Sequence, residues 1–206
     1  MSVSVRDCLI VFTRYPKPGT TKTRLIPLLG AEGAAQFQRQ MTEDTLAQAK
    51  KLQEFRPVAV EVHFTGGDRK LMQDWLGNDV IYHNQSEGDL GNRMASAFEA
   101  CFAAGMARAV IIGVDCPDLN AQLMLKAFEA LDQHDLVLGP AEDGGYYLIG
   151  LNRLIQELFV GVSWGMSVVR QQTVEIAQKL DLAIAFLPLL NDIDRPDDLI
   201  GRSFSR

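Results

Sequence analysis

Two short apolar runs do most to limit what this chain can fold into. They span residues 8–13 (CLIVFT) and residues 109–114 (AVIIGV), and each ends at a loop. Both are too short for a buried helix, and such runs are typical of strands in a parallel sheet that is covered on both faces. Segments with helical character alternate with them along the chain. The sequence therefore predicts an α/β fold with three layers, α/β/α, and a mainly parallel sheet.

Weaker patterns complete this alternation. Further strands are predicted at residues 57–65, 79–82, 135–138, 145–151 and 183–187. Helices are predicted at residues 31–55, at 68–76 with Asp68 as the N-cap, and in apolar stripes that begin at Met94, Met124 and Val169. No internal repeat, low-complexity tract or linker interrupts the pattern, so we predict a single domain over residues 1–206.

Overall charge and cysteine use argue against several classes of protein. The formal net charge of −6 disfavours general nucleic-acid binding, which needs an extended basic face. The three cysteines have neither zinc-site nor CxxC spacing, which favours a reduced, cytoplasmic setting. The N-terminus has no signal-peptide pattern, and no run approaches the roughly 20 apolar residues of a membrane span. The sequence does not indicate the oligomeric state.

The loop after the first apolar run is basic, although the chain as a whole is acidic. It carries Arg14, Lys17, Lys22 and Arg24, and no Asp or Glu occurs from residue 9 to residue 31. These charges, with Gly19 allowing close approach of the main chain, predict a site for an anion such as a phosphate chain. A solvated basic loop is the alternative. The segment lacks the GxxxxGK(S/T) order of a P-loop, and no GxGxxG follows a strand.

An acidic segment follows the second apolar run, at residues 113–119 (GVDCPDL). Asp115 emerges at the end of the strand, where a carboxylate can hold a divalent cation that bridges phosphates. Asp118 either joins this site or caps the next helix. Cys116 has no histidine near it in the sequence, so a packing role is favoured over that of a nucleophile.

Two more acidic segments lie further along the chain. In residues 139–147 (GPAEDGGYY), Asp143 precedes paired glycines and is placed to contact a sugar hydroxyl or a metal-bound water, but a hairpin turn explains the pattern equally well. In residues 191–199 (NDIDRPDDL), Asp192 and Asp194 project the same way if the segment is extended, and they could complete a metal site with Asp115. The following pair of aspartates, at 197 and 198, is expected to begin a helix.

The histidines and two aromatic residues give little indication of chemistry. His63 alternates within a predicted strand, and His83 and His134 lie near loops, so a structural or solvent-facing role is expected for each. Trp164 and Tyr146 could stack on a base or sugar, but core packing explains them at least as well.

Taken in order, five motifs resemble a known family. They are PKPGTTKTRL, GDLGNRM, GVDCPDL, GPAEDGGYYLIGL and DIDRPDDL, and they extend over roughly residues 8 to 199. They are similar to the small bacterial GT-A-fold proteins described as DUF2064, a nucleotide-diphospho-sugar transferase-like group that includes glycosyltransferases associated with arsenosugar biosynthesis. The resemblance implies a nucleotide-binding GT-A fold and a metal-dependent transfer reaction with Mg²⁺ or Mn²⁺ as cofactor.

The resemblance also implies roles for individual positions. The phosphate-binding loop, which Arg14 joins as part of the basic segment, would use Lys17, Gly19, Lys22, Thr23 and Arg24. The loop beside the nucleoside would use Gly88 and Gly91, with Gln85 as a weaker candidate for recognising the base. The metal would be held by Asp115, Asp192 and Asp194, and the acceptor side would be formed by Asp143, Gly144 and Gly145. The candidate catalytic residues among these are Lys22, Arg24, Asp115 and Asp143.

One position departs from the family pattern. Many relatives have Trp-Ser-Thr or Trp-Gly-Thr where this chain has Trp164-Gly165-Met166. Met166 removes a hydroxyl, so a polar contact from that side chain is not expected here.

Three functions are compatible with these residues. The first is a glycosyltransferase that binds a nucleotide sugar and a small-molecule acceptor. The second is a nucleotidyltransferase that binds a nucleoside triphosphate, such as a guanylyltransferase acting on a small phosphorylated acid. The third is a non-catalytic module that binds nucleotides without transferring anything. The acids at 115, 143, 192 and 194 weigh against the third, because binding alone does not need them all.

Overall fold

The computed structural model describes residues 6–199, which form one seven-stranded sheet with helices on both faces. In chain order the elements are β1 (Asp7–Arg14), α1 (Ile26–Leu52), β2 (Val58–Thr65), α2 (Arg69–Leu76), β3 (Ile81–Asn84), α3 (Leu90–Ala103), β4 (Arg108–Ile112), α4 (Ala121–Ala130), β5 (Leu136–Pro140), β6 (Tyr146–Leu151), α5 (Val169–Lys179) and β7 (Ile184–Phe186). Short 3-10 helices span Thr23–Leu25, Gln156–Phe159 and Pro196–Leu199.

The sheet has the strand order β3-β2-β1-β4-β6-β5-β7. Only β6 is antiparallel to its neighbours, β4 and β5, and the other adjacent pairs are parallel. The two apolar runs of the sequence are the adjacent strands β1 and β4, near the centre of the sheet. The predicted three-layer α/β fold with a mainly parallel sheet is therefore confirmed. Because all strands except β6 run the same way, the loops that follow them leave from one edge.

Each face of the sheet has its own core. Helices α1, α2 and α4 cover one face with buried side chains such as Leu46, Met72 and Phe128. Helices α3 and α5 cover the other with Phe98 and Ala177. Burying one large apolar side chain contributes roughly 1.5–3 kcal/mol, so the two cores together hold the layers in place.

Polar side chains set where the shorter helices begin. Asp68 caps α2 as predicted, since its carboxylate accepts a hydrogen bond from the backbone N–H of Leu71 at 2.9 Å. The predicted alternative of Asp118 capping α4 is wrong. Asn120 is the N-cap, with its side-chain oxygen accepting from the N–H groups of Gln122 and Leu123.

Helix α1 begins at Ile26, earlier than the residue-31 start predicted from sequence. The basic loop ends in the 3-10 turn Thr23–Leu25, which leads directly into the helix. Gly30 has φ 71° and interrupts the helical geometry, and the clear helical composition of the sequence starts only after it. No helix within residues 6–199 has the length and apolar character needed to cross a bilayer.

Candidate functional site

A cleft of about 630 Å³ opens at the edge of the sheet where the parallel strands end. Its walls come from the end of β1, the basic loop, the segment after β4 and the turn between β5 and β6. The residues that line it include Arg14, Lys22, Thr23, Arg24, Gln38, Gln85, Asp115, Cys116, Asp143, Gly145, Tyr146, Trp164, Met166, Asp192 and Asp194.

Basic and acidic segments that are distant in the sequence meet in this cleft. Lys22 Nζ lies 3.0 Å from Asp115 Oδ1 and 4.0 Å from Asp194 Oδ1. Arg24 forms an ion pair with the other oxygen of Asp194. The basic loop and two of the acidic segments therefore share one site, as the strand order requires.

The backbone after β7 is fixed to this site. The N–H of Ile193 donates to the carbonyl of Asp115 at 2.8 Å, and the carbonyl of Ile193 accepts from Lys22 Nζ. The Ile193 side chain is fully buried between them. Asp192 and Asp194 are thus held on either side of a residue that is anchored in the core.

Lys22 has an unusual backbone for a residue that is not glycine. Its φ and ψ are 47° and 46°, the left-handed region, which costs an L-residue roughly 1–2 kcal/mol. Its side chain is only 4% exposed, whereas that of Asp115 is 47% exposed. A strained backbone that places a buried ammonium group in a cleft is typical of functional sites.

Asp192 lines the same cleft as two other carboxylates, those of Asp143 and Asp115. Burial raises the pKa of Asp192, and the nearby charges of Asp143 and Asp115 raise it further. Within residues 6–199 the carboxylate of Asp192 has no ion-pair partner. These oxygens fit Mg²⁺ or Mn²⁺ by donor type, since both ions prefer carboxylates and a positive charge would relieve the repulsion.

The two other carboxyl groups of the predicted metal set differ from Asp192. Asp115 uses one oxygen for Lys22 and is otherwise half-exposed. Asp194 uses one oxygen for Arg24, and its other oxygen faces Lys22. Asp194 is therefore already paired with cations. Asp143, which was predicted on the acceptor side, lines the same cleft as Asp192.

Asp143 lies in a tight turn between β5 and β6. The Ala141 N–H donates to the Gly145 carbonyl at 3.1 Å, and Asp143 Oδ1 accepts from the Gly145 N–H at 2.7 Å. The motif is the hairpin turn, and the exposed Asp143 carboxylate lines the cleft. The predicted contact of Asp143 with a sugar hydroxyl or a metal-bound water stays a prediction.

Cys116 is a packing residue, as expected. Its thiol is buried and is not part of a disulfide. Burial raises the thiol pKa, and the carboxylates of Asp192 and Asp115 raise it further, so the reactive thiolate is disfavoured.

Gln85 lies in the cleft with its donors already committed. Its side-chain amide donates to the carbonyls of His63 at 3.0 Å and Thr13 at 3.3 Å. Only the amide oxygen is left to accept a hydrogen bond from a ligand.

Five predicted binding residues do not line the cleft: Lys17, Gly19, Gly88, Gly91 and Gly144. Two of these glycines have packing roles instead. A Cβ on Gly91 would lie 2.4 Å from Trp164 Nε1, so Gly91 makes room for the Trp164 wall of the cleft. A Cβ on Gly144 would lie 2.0 Å from the Ser167 carbonyl oxygen, and Gly144 also has φ +91°.

Sequence reasoning missed a buried polar network at the cleft and the environment of the Tyr146 hydroxyl. Gln38 donates to the hydroxyls of Thr13 and Thr42, which lie 2.8 Å apart, forming a buried network under the end of β1. Tyr146 has a buried hydroxyl without a hydrogen-bond partner among the described residues. The spacing of Gln38 and Thr42, one helical turn apart, was the only signal for the network.

Comparisons with known proteins identify the family of this chain and solved structures that are similar to it. The family model described as "Uncharacterized protein conserved in bacteria (DUF2064)" matches residues 45–166, more than half of the chain. A proposed nucleotide-diphospho-sugar transferase from Desulfovibrio desulfuricans G20 is 34% identical, with a TM-score of 0.89 over 95% of this chain and 85% of that chain. A sequence comparison with curated proteins gave no match.

More distant structures share the fold alone. The 4-diphosphocytidyl-2C-methyl-D-erythritol synthase of Anaerococcus prevotii DSM 20548 is 12% identical, with a TM-score of 0.63 over 95% of this chain and 93% of that chain. Rv0371C from Mycobacterium tuberculosis H37Rv, in complex with manganese, is 12% identical, with a TM-score of 0.54 over 94% and 96%. The sheet and its helices thus have the architecture of GT-A-like and nucleotidyltransferase folds.

Proposed function

The chain belongs to the DUF2064 family, and from that membership and the cleft we propose that it is a transferase using a nucleotide-activated donor, specifically a nucleotide sugar. The meeting of Lys22 and Arg24 with Asp115 and Asp194 is the observation that supports this most directly. A cleft of about 630 Å³ is of the size that holds a nucleotide-sized ligand. The sugar donor is favoured because the 34% identical relative is described as a nucleotide-diphospho-sugar transferase.

The cationic side chains would act on the leaving group. Lys22 and Arg24 would bind the diphosphate and stabilise the negative charge that develops on it as the bond to the sugar breaks. Binding a diphosphate would also draw Lys22 away from Asp115 or share it between them, since its ammonium group has three donors. Arg14 and Thr23, which also line the cleft, could extend the anion site.

The carboxylates would hold a metal ion and an acceptor. Asp115 and Asp192, with Asp143 beside them, would hold Mg²⁺ or Mn²⁺, which when bound supplies Lewis-acid stabilisation of the diphosphate. Asp194 is assigned by the family resemblance to the same set, and here it orients Arg24. The Asp143 carboxylate, fixed by the Gly145 N–H, would take the proton from an acceptor hydroxyl as that oxygen bonds to the sugar carbon.

Gln85 would recognise the nucleoside. Because both amide hydrogens are engaged by backbone carbonyls, its Oε1 would accept from a donor on the base. A base that presents an amino or imino N–H at this edge is therefore preferred over one that presents only acceptors.

Product analysis tests the proposal. Purified protein is incubated with Mn²⁺, a panel of nucleotide sugars and a mixture of small acceptors, and separately with nucleoside triphosphates and phosphorylated acids. Release of free nucleoside diphosphate with a glycosylated product supports glycosyl transfer. Release of pyrophosphate identifies nucleotidyl transfer in the same cleft, and nucleotide binding without any transfer identifies a binding module.

A thermal-shift panel comes first, because it needs no acceptor. Nucleotides and nucleotide sugars are tested with and without Mn²⁺, since a ligand that binds the folded state raises the melting temperature. We expect a nucleotide diphosphate or its sugar to give the largest rise, and only with metal. A panel without any rise contradicts the proposal.

A further inference from the structure

A second group of metal-type ligands lies on the sheet, outside the oxygen-rich set of the cleft. Glu61 and His63 are on β2, and His83 is on the neighbouring edge strand β3. The register pairs His63 with His83 directly, so both rings and the Glu61 carboxylate emerge on the same face. This is a group of one carboxylate and two imidazoles, each offering one ligand atom.

The separations of these atoms are close to those of a tetrahedral site. Glu61 Oε2 lies 3.0 Å from His63 Nε2 and 3.7 Å from His83 Nε2. All three ligand atoms lie within 4.8 Å of one another. With zinc–ligand bonds of about 2.0–2.2 Å, tetrahedral geometry puts neighbouring donors about 3.3–3.6 Å apart. Small side-chain rotations would therefore bring the three atoms to these distances.

Charge limits the protonation states that this group can take. One carboxylate oxygen faces two imidazoles, whose ring centroids are only 4.9 Å apart. Two protonated rings this close would repel each other, and Glu61 balances only one positive charge. Two neutral rings and a carboxylate, by contrast, are the species that bind a divalent ion.

The surroundings leave one coordination position accessible. The side chains of His63 and Glu61 are 7% and 16% exposed, whereas that of His83 is 47% exposed. Phe12 stacks on the ring of His63, with ring centroids 5.8 Å apart and an interplanar angle of 16°. The group is thus fixed on one side and open to water on the other.

We propose that Glu61, His63 and His83 form a zinc site that joins β3 to β2. Two nitrogen donors and one oxygen donor suit Zn²⁺ and disfavour Mg²⁺, which takes oxygen ligands. A water molecule would take the fourth position. This proposal does not depend on the transferase assignment.

The site would act on the cleft through the strand it anchors. Among the described strands, the four-residue β3 pairs with β2 alone, so the sheet supports it from one side only. Gln85 follows it directly, lines the cleft and hydrogen-bonds the carbonyl of His63. On its other side, the ring of Phe12 both stacks on His63 and lines the cleft. Zinc would therefore hold this wall of the cleft in place.

Calorimetric titration tests the site. Full-length protein is stripped of metal with a chelator and titrated with Zn²⁺ in excess Mg²⁺, which occupies the oxygen ligands of the cleft. We expect one Zn²⁺ per chain and at least a 10-fold weaker affinity in His83→Ala. Groups that only orient a metal ligand already cost about 10–100-fold in affinity when they are mutated, and loss of a ligand itself should cost at least as much. His83 is half-exposed, so its removal should leave the fold intact.

Two further variants make the outcome decisive. His134→Ala removes the remaining histidine, which hydrogen-bonds the Ala130 carbonyl at the end of α4, and it should bind Zn²⁺ as tightly as the unmodified protein. Glu61→Gln keeps the shape but removes the charge, and it should weaken binding as His83→Ala does. In parallel, Zn²⁺ should raise the melting temperature of the unmodified protein and of His134→Ala but not of His83→Ala. Absence of Zn²⁺ binding, or equal affinity in all four proteins, would overturn the proposal.

Discussion

The cleft and the Glu61–His63–His83 group lie on the same sheet but offer different chemistry. The cleft gathers carboxylates around cations that the chain itself supplies, Lys22 and Arg24. The second group has two imidazoles around one carboxylate. Oxygen donors with internal cations suit an exchangeable hard ion and a phosphate ligand, whereas nitrogen donors suit a firmly held borderline ion. Under the two proposals, donor type alone separates the reaction site from the structural site on one sheet.

Among the changes that should affect the cleft but not the Glu61–His63–His83 group, loss of the Asp115 charge is expected to have the largest effect. Asp115→Asn removes a charge from the centre of the cleft, so we expect metal-dependent nucleotide affinity or turnover to fall about 10²–10³-fold, the scale for a group that stabilises charge in a reaction. Zn²⁺ affinity should not change. Titration calorimetry measures both.

Asp118→Asn is the matched control for that change, because Asp118 is in the same loop but does not line the cleft. It should leave the nucleotide dissociation constant within about 2-fold, which corresponds to about 0.4 kcal/mol. An Asp115→Asn protein that keeps metal-dependent binding and turnover would remove the central assignment of the cleft.

Separate substitutions of Lys22 and Lys17 measure how much each lysine of the basic loop contributes to nucleotide binding. Lys22→Ala should weaken nucleotide diphosphate binding by about 1.5–3 kcal/mol, the scale of a charged hydrogen bond. Lys17 belongs to the same loop but is exposed and does not line the cleft, so Lys17→Ala should have little effect. Equal losses in both variants would mean that the loop acts only through its net charge. Dissociation constants at two salt concentrations distinguish these outcomes.

Gly91 tests whether the wall of the cleft can be changed without disturbing the second group. Gly91→Ala places a methyl group 2.4 Å from Trp164 Nε1 and 2.6 Å from Trp164 Cε2, so the ring must move. Overpacking of this kind typically costs about 1–3 kcal/mol of the free energy of unfolding. Gly113→Ala, where a Cβ meets nothing within 4 Å, is the control for denaturant unfolding.

Trp164 displacement should also weaken nucleotide binding in Gly91→Ala, while Zn²⁺ affinity stays the same. An unchanged melting temperature together with unchanged nucleotide binding would show that Trp164 is free to adjust and that Gly91 has no packing role.

Sequence patterns were sufficient for the parts of the fold that depend on local composition. The apolar runs gave β1 and β4, and their parallel arrangement implied that the basic loop and Asp115 would share one edge of the sheet. The insertion of β6 antiparallel between β4 and β5 was not predicted, because a short apolar strand does not record the direction of its partners. The start of α1 at Ile26 was not predicted because Gly30 interrupts the helical geometry, and the clear helical composition begins only after it.

Side-chain positions were harder to predict than strand positions. Lys17 and Lys22 have the same chemistry and are five residues apart, and only the left-handed turn at Lys22 directs one of them into the cleft. His63 and His83 lay in separate weak patterns, and only the register of β2 with β3 brings them together. Gly91 was predicted to belong to the loop beside the nucleoside, and nothing in the sequence indicated that it packs against Trp164, a residue far along the chain.

Asp192 offers the smallest effect and the finest test of the charge in the cleft. Burial and the charges of Asp143 and Asp115 raise its pKa above the ordinary 3.8, so the folded protein holds this proton more tightly than the unfolded chain. The ionised group therefore lowers stability once the pH has risen through the raised pKa, and it has no such effect below 3.8, where both states are protonated.

Without metal, Asp192→Asn should raise the free energy of unfolding at pH 7 by about 0.5 kcal/mol, the scale of surface changes, and by less as the pH falls. With Mn²⁺ and nucleotide the order should reverse, because the variant loses a metal ligand. Denaturant unfolding at several pH values measures the first effect, and thermal shift with ligand measures the second. A variant that is less stable at pH 7 without metal would mean that Asp192 has a stabilising partner and that the carboxylates do not repel one another.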